Sequence, residues 1–267
     1  MRRPSTTYVP VCSPSGSSSS AVSRPSITPR ADTCLLAQVE DDYSSAHNGL
    51  CAISLELTWC NAVADAPLTE LGREQCTYLC KRTLESIQQR ADLVVSSPLR
   101  RTMTTTLIGY SALLERLRKE HPEQPTPILL PLLQERNSHP CDTGSEVEVL
   151  QKDPEFAHLD YSTVEKGWNS KTGIYAPENC DERARLVRRW LLNRPEKEIV
   201  VVRCHYCCFL RPLTRRGQVA HGDILRHMLQ DQERPLGNTE VVTCKFAPND
   251  PEDASLIALE AGTEASV

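Results

Sequence analysis

Nowhere in the 267 residues do about 18 apolar residues run together, the length a membrane-spanning helix needs, so a bilayer span is not expected. Positive charge is also in deficit. The 30 Lys and Arg against 35 Asp and Glu give a net charge of -5, and no global basic field recommends nucleic acid as a partner. Any anion site must be local. A charged-then-apolar secretory segment is missing too, so the 12 cysteines lack the setting in which a disulfide framework forms. They read as reduced, mostly buried thiols; Cys76 and Cys80 fall one helical turn apart, on the same face as Leu84 and Ile87. No internal repeat is present, and the length suits one sizeable core.

Residues 1–30 contain no acid, four arginines and a high content of Ser, Pro and Thr. Such a composition cannot bury enough surface to offset its chain entropy, so a disordered tail is expected over 1–32. Its Ser-rich, Arg-bearing character weakly suggests organellar targeting, but the prolines spoil an amphipathic helix, and a cytoplasmic protein is the expectation. A folded domain is expected over 33–253 and a second tail over 254–267. Within the domain, apolar runs alternate with helical patterns, which predicts a three-layer α/β/α sandwich around a mostly parallel sheet. "ADLVVSS" reads as one strand, "TPILLPLL" as a strand with prolines marking a turn and an edge, and "EKEIVVVRCH" as the clearest of all. The last strand is "TEVVTCKF". One helix is predicted over "TELGREQCTYLCKRTLESIQQR" with Thr69 as N-cap, and another over "NCDERARLVRRWLLNR" with Cys180, Ala184, Val187 and Leu191 on one face.

The stretch "VVSSPLRRTMTTTLIGY" sets an apolar run against a Ser-Pro turn, two arginines and a threonine-rich helical segment. A strand that turns and opens a helix places its next side chains at the carboxyl edge of the sheet, where open α/β sheets bind ligands. A guanidinium there holds phosphate through paired N–H donors, and the helix N-terminus adds more. Phosphate is the ligand this arrangement predicts.

The blocks "DAPLTELGREQC", "SPLRRTMTT", "LLQERNSHPCDTG", "GWNSKTGIYAP", "RPEKEIVVV" and "GNTEVVTCKF" together resemble the histidine phosphatase superfamily, specifically its fungal phosphoglycerate-mutase-like branch. The resemblance covers roughly Asp65 to Phe246 with the order of blocks intact. It implies the phosphoglycerate mutase-like fold and attack on a phosphomonoester by a histidine nitrogen, with arginines and histidines around the phosphoryl group and a carboxylic acid protonating the leaving oxygen. Such chemistry depends mainly on positioning and charge stabilisation, and needs no metal or organic cofactor. By the register of the motifs, Arg101 matches the phosphate-binding arginine and Arg100 its variable neighbour. Thr104 stands where glutamine is usual. Glu135 matches the general acid, Asp142 and Gly144 shape the loop after it, and His205 matches a catalytic, phosphate-pocket histidine if one residue is inserted before Phe209. A phosphorylated small molecule is the implied ligand.

Two departures accompany the resemblance. No Arg-His-Gly or Arg-His-Ala precedes "DAPLT", so the nucleophile and a second phosphate arginine are missing. Aligning the "HN" of "CLLAQVEDDYSSAHNGL" puts Asp41 and Asp42 in their places; aligning "AQ" puts Leu35 and Leu36 there, and His47 is the nearest imidazole. In "VVVRCHYCCFLRPL", Cys207 and Cys208 replace the glycines that let a backbone approach phosphate. Phosphomonoester hydrolysis or phosphoryl transfer, impaired by the absent nucleophile, is therefore the expectation. The alternatives are a non-catalytic binder of phosphate ligands or, from the Cys-x-x-Cys of "CHYCC", a redox protein or a zinc site.

Overall fold

A computed structural model describes residues 33–39, 63–204, 223–234 and 240–259, with backbone alone for 33–39, 204 and 223. The strands are β1 (Thr33–Val39), β2 (Leu93–Ser96), β3 (Ile128–Leu129), β4 (Glu198–Cys204), β5 (Val241–Phe246) and β6 (Leu256–Ala258). The helices are α1 (Glu70–Thr83), α2 (Ile87–Arg90), α3 (Arg100–Gly109), α4 (Ser111–Glu120), α5 (Val147–Leu150), α6 (Cys180–Leu192) and α7 (Asp223–Leu229).

One sheet runs in the order β3-β2-β4-β1-β5-β6. The first four strands pair in parallel, and β5 and β6 add antiparallel at the far edge. β4 lies inside the sheet, and its Ile199, Val200, Val201 and Val202 are all fully buried. An unbroken β-branched run is what a parallel strand covered on both faces requires. Ile199 and Val201 pack with Leu93 and Val95 of β2 against Cys180, Ala184, Val187 and Leu191 of α6 and Ile224, Leu225 and Met228 of α7. Val200 and Val202, pointing the other way, pack with Val94 against Cys76 and Leu79 of α1 and Leu113, Leu114 and Leu117 of α4. Alternation along two strands thus builds two cores and three layers, as predicted.

A third cluster joins Leu99, which precedes α3, Met103 of α3 and Leu129 of β3 to Leu150, Phe156, Leu159, Val164 and Trp168. It fastens the long 147–168 segment beside the first turn of α3. A salt bridge and a hydrogen bond reinforce it, since Glu155 accepts from Arg73 of α1 at 2.9 Å and from the Thr104 hydroxyl of α3 at 2.7 Å.

Two sequence expectations need correction. The helix predicted from Thr69 through Arg90 is interrupted at 84–86: α1 closes at Thr83, whose hydroxyl donates back to the Leu79 carbonyl at 2.8 Å, and Gln88 of α2 reaches Cys80, Thr83 and Gly109. Cys80 accordingly sits half-buried, while Cys76 and Leu79 face the core. The tail expected over 254–267 carries β6, which pairs with β5 between Phe246 and Leu256 and buries Ala254 and Leu256. The residues 1–32 assigned to the other tail lie outside the described residues.

Candidate active site at the carboxyl edge of the sheet

β1, β2 and β4 run in parallel, so Val39, Ser96 and Cys204 end at one edge. There Ser97-Pro98-Leu99 turns the chain into α3, and Ser97 donates its backbone N–H to Val202 at 3.1 Å. α3 has no side-chain cap from its N-cap residue, Leu99. Its first turn is served from a distance instead. Asp65 Oδ1 accepts from the Arg100 N–H at 3.0 Å, and Oδ2 accepts from the Ser145 N–H at 2.9 Å. Asp65 is fully buried at a left-handed φ of 45°, and its own N–H donates to the Pro140 carbonyl at 3.1 Å. One carboxylate therefore ties the start of α3 to the 140–145 loop. Burial pushes its pKa up, outweighing the two backbone bonds and the Arg101 charge that pull it down.

That loop holds the partner of Arg101. Arg101 Nη2 meets Asp142 Oδ1 at 2.9 Å, Nη1 donates to the Cys141 carbonyl, and both side chains of the pair are 3% exposed. A guanidinium carries five N–H donors in one plane, and two such bonds fix the orientation of that plane. Arg100 turns away, paired with Asp153 and lying 5.8 Å over the Phe156 ring. Gly144 has a steric reason to be glycine: a Cβ there would overlap the Trp168 ring.

Glu135 follows a 3-10 turn over Pro131–Leu133 and is 1% exposed. Its neighbour Gln134 anchors the turn by donating to the Trp168 carbonyl at 2.5 Å. Glu135 Oε1 accepts from the Arg136 N–H at 2.9 Å, whereas Oε2 is buried without a hydrogen-bond partner. Lys171 Nζ donates to the Glu135 carbonyl at 2.6 Å. Burial first, and the Arg183 charge second, push Lys171 down to about 8. Arg183 of α6 is fully buried, gives Nη2 to Cys180 Sγ at 3.6 Å, and leaves Nε and Nη1 unpartnered.

Arg101 and Glu135 share a neighbourhood: both, with Asp142, act electrostatically on Lys171 and on the buried Cys141 thiol, which is pushed up to about 11. His205, matched to the phosphate pocket, lies outside the described residues, as do Asp41, Asp42, His47, Cys207 and Cys208. The backbone of β1 bears on the missing motif. Leu35 and Leu36 pair with Val200 and Val201 in the middle of the sheet, so the register that puts them in the Arg-His positions does not bring them to the edge, which the described part of β1 reaches at Val39. Among the described residues, no group of three or more His, Cys, Asp and Glu side chains is placed to hold a metal ion. Among the described residues, no helix is long and apolar enough to cross a membrane.

Three residues escaped the sequence reading. Asp65 opens the quoted "DAPLT" block without a role, and Lys171 sits unassigned in "GWNSKTGIYAP". Arg183 had a readable signal, because it lies three residues after Cys180 and four before Val187, a charge on the buried stripe of α6.

β2, the turn at Ser97-Pro98-Leu99 and α3 place Arg101 at the carboxyl edge of a parallel sheet, the edge at which open α/β proteins build their sites. The model of the histidine phosphatase superfamily, branch 1, matches residues 56–246, and the chain belongs to that superfamily. A probable phosphatase of Schizosaccharomyces pombe is 27% identical over 143 residues, covering 52% of this chain. The match spans 62% of that relative's length. Similar solved structures include a phosphoserine phosphatase from Entamoeba histolytica in complex with phosphoserine, at 15% identity and a TM-score of 0.43, covering 85% of this chain and 94% of that one. A mycobacterial glucosyl-3-phosphoglycerate phosphatase complexed with VO3 is similar at 16% identity and a TM-score of 0.45, covering 85% and 97%.

Proposed function

We propose that this chain binds a phosphorylated small molecule through Arg101 and that its phosphomonoester hydrolysis or phosphoryl transfer is impaired by the missing nucleophile. The placement of Arg101 carries the reading: a buried guanidinium, fixed in plane, in the first turn of the helix at the carboxyl edge of a parallel sheet. Glu135 is the proton donor to the leaving oxygen, and its buried, unpartnered Oε2 is the atom that serves. His205 comes next after β4 in the sequence, and its motif alone assigns it to the phosphate pocket. The phosphoglycerate-mutase-like branch and a cytoplasmic setting belong to the same reading.

A second reading, a non-catalytic binder, is favoured by one observation. No histidine follows β1 in the sequence before His47, and aligning the "HN" puts Asp41 and Asp42 in place of Arg and His. Two acids repel an incoming dianion, and an acyl phosphate would need a cation to offset them. Calorimetric titration with inorganic phosphate or vanadate tests both readings. Arg101→Ala should weaken binding by roughly tenfold or more, the worth of a charge-assisted hydrogen bond, with Arg100→Ala mattering less. Equal effects of the two substitutions would show that the motif register is off by one.

A further inference from the structure

We propose that Lys171 and Arg183 form a second anion subsite beside Glu135, which receives a carboxylate or second phosphate carried on the leaving-group side of the ligand. The proposal rests on the reading above that Arg101 holds the first phosphate.

Arg183 motivates it. The side chain is fully buried in the first turn of α6, yet its Nε and Nη1 have no acceptor, and its one bond goes to the sulfur of Cys180. A buried charged donor without a partner is costly, and native interiors rarely leave one in place without water or a ligand to satisfy it. Lys171 is the second cation. Its ammonium spends one of three N–H bonds on the Glu135 carbonyl and makes no ion pair with a carboxylate among the described residues. The charges that act on Lys171 are Arg183, Glu135, Asp142 and Arg101. Asp142 is already engaged by Arg101. The Glu135 loop joins the two elements that carry these cations: Lys171 Nζ donates to the Glu135 carbonyl at 2.6 Å, and Arg136 Nε donates to the Pro177 carbonyl at 3.1 Å, just before α6. When Glu135 carries the proton that a leaving oxygen needs, neither cation has an anion assigned to it.

The repulsion has a signature. Burial and the Arg183 charge together hold Lys171 down to about 8. An anion between the two would relieve both groups at once, satisfying the guanidinium and raising the pKa of Lys171. Lys171 is half-buried and the next residues, Thr172 and Gly173, are exposed, so the Lys171 side borders solvent. The gap between this subsite and Arg101 is bridged by the loop of Glu135, the group that would protonate the oxygen joining the two anionic ends.

The test compares three probes on the full chain by calorimetry at neutral pH: ethyl phosphate, phosphoglycolate, which adds a carboxylate, and ethylene glycol bisphosphate, which adds a phosphate. At least one of the two dianionic-ended probes should bind about tenfold more tightly than ethyl phosphate, as one charge-assisted contact implies. Which of them gains more identifies the second group. The ratio should fall to about one in Arg183→Met and in Lys171→Met, and because it is taken within each variant a partial loss of fold does not create it. A second readout needs no variant. Acetylation of Lys171 by acetic anhydride near pH 8, read by peptide mass mapping, should slow severalfold when phosphoglycolate is present. If ethyl phosphate fails to bind while phosphoglycolate still protects Lys171, the reading of Arg101 falls and the subsite stands. If ethyl phosphate binds, and neither larger probe gains affinity or slows acetylation, the subsite is overturned and the reading of Arg101 survives.

Discussion

Both oxygens of Asp65 accept backbone N–H bonds, from Arg100 and from Ser145, so removing the carboxylate strands two donors inside the protein. Asp65→Ala should therefore cost about 2–4 kcal/mol, measured by urea unfolding. It should also loosen the Arg101–Asp142 pair, because the same carboxylate fixes both sides of it. The pH dependence has a definite sign. The carboxyl's folded pKa is raised above its ordinary value near 3.8, so its contribution is fully present below that value and is lost as pH rises through the raised one. The stability advantage of the parent over Asp65→Asn should shrink across that acid window. An advantage that grows with pH would show that the two backbone bonds outweigh burial. The placement of Arg101 in the first turn after β2 was legible because a strand, a Ser-Pro turn and a helix are adjacent in sequence. Asp65 was not, since its bond to Ser145 joins residues 80 positions apart, a relation that no local pattern encodes.

At the scale of elements, the stripe of α6 predicted from spacing is the stripe that packs: Cys180, Ala184, Val187 and Leu191 all lie in one core. Leu191→Ala, at a fully buried position, should destabilise the protein by about 2–5 kcal/mol in the same unfolding measurement. Thr69→Ala should cost about 1 kcal/mol, because the Thr69 hydroxyl accepts the Gly72 N–H at 3.1 Å as the N-cap of α1. The strands β2, β3, β4 and β5 were legible for the same reason as α6: each is a β-branched or apolar run bounded by turn residues. The break after Thr83 was not, because the apolar spacing continues through Leu84 and Ile87 while Gln88 forms its bonds across to Gly109. β6 was missed because three residues, Leu256, Ile257 and Ala258, are too few to show a period; the strand exists through its pairing with β5.

At the scale of the molecule, parallel pairing brings the ends of β1, β2 and β4 to one edge, and the three-layer packing holds Arg101 and Glu135 beside it. What the fold supplies is electrostatics: fixed cations, oriented N–H groups and a buried carboxyl group. Such a pocket stabilises charge on a phosphoryl group but forms no covalent intermediate without a nucleophile. The Cys141 and Cys180 thiols, each pushed up to about 11, stay protonated at neutral pH and do not take that role. The proposed function thus separates binding, assigned to this edge, from turnover, assigned to the absent Arg-His pair. Hydrolysis of 4-nitrophenyl phosphate at acid and neutral pH, run on the purified chain beside an Asp41→Arg, Asp42→His double variant, tests that separation. The account predicts no turnover by the unmodified chain beyond that of its Glu135→Ala variant, and phosphatase activity once the pair is restored. Robust turnover by the unmodified chain, lost on Glu135→Ala or His205→Ala, would contradict it and point to another histidine, His47 first, as the nucleophile.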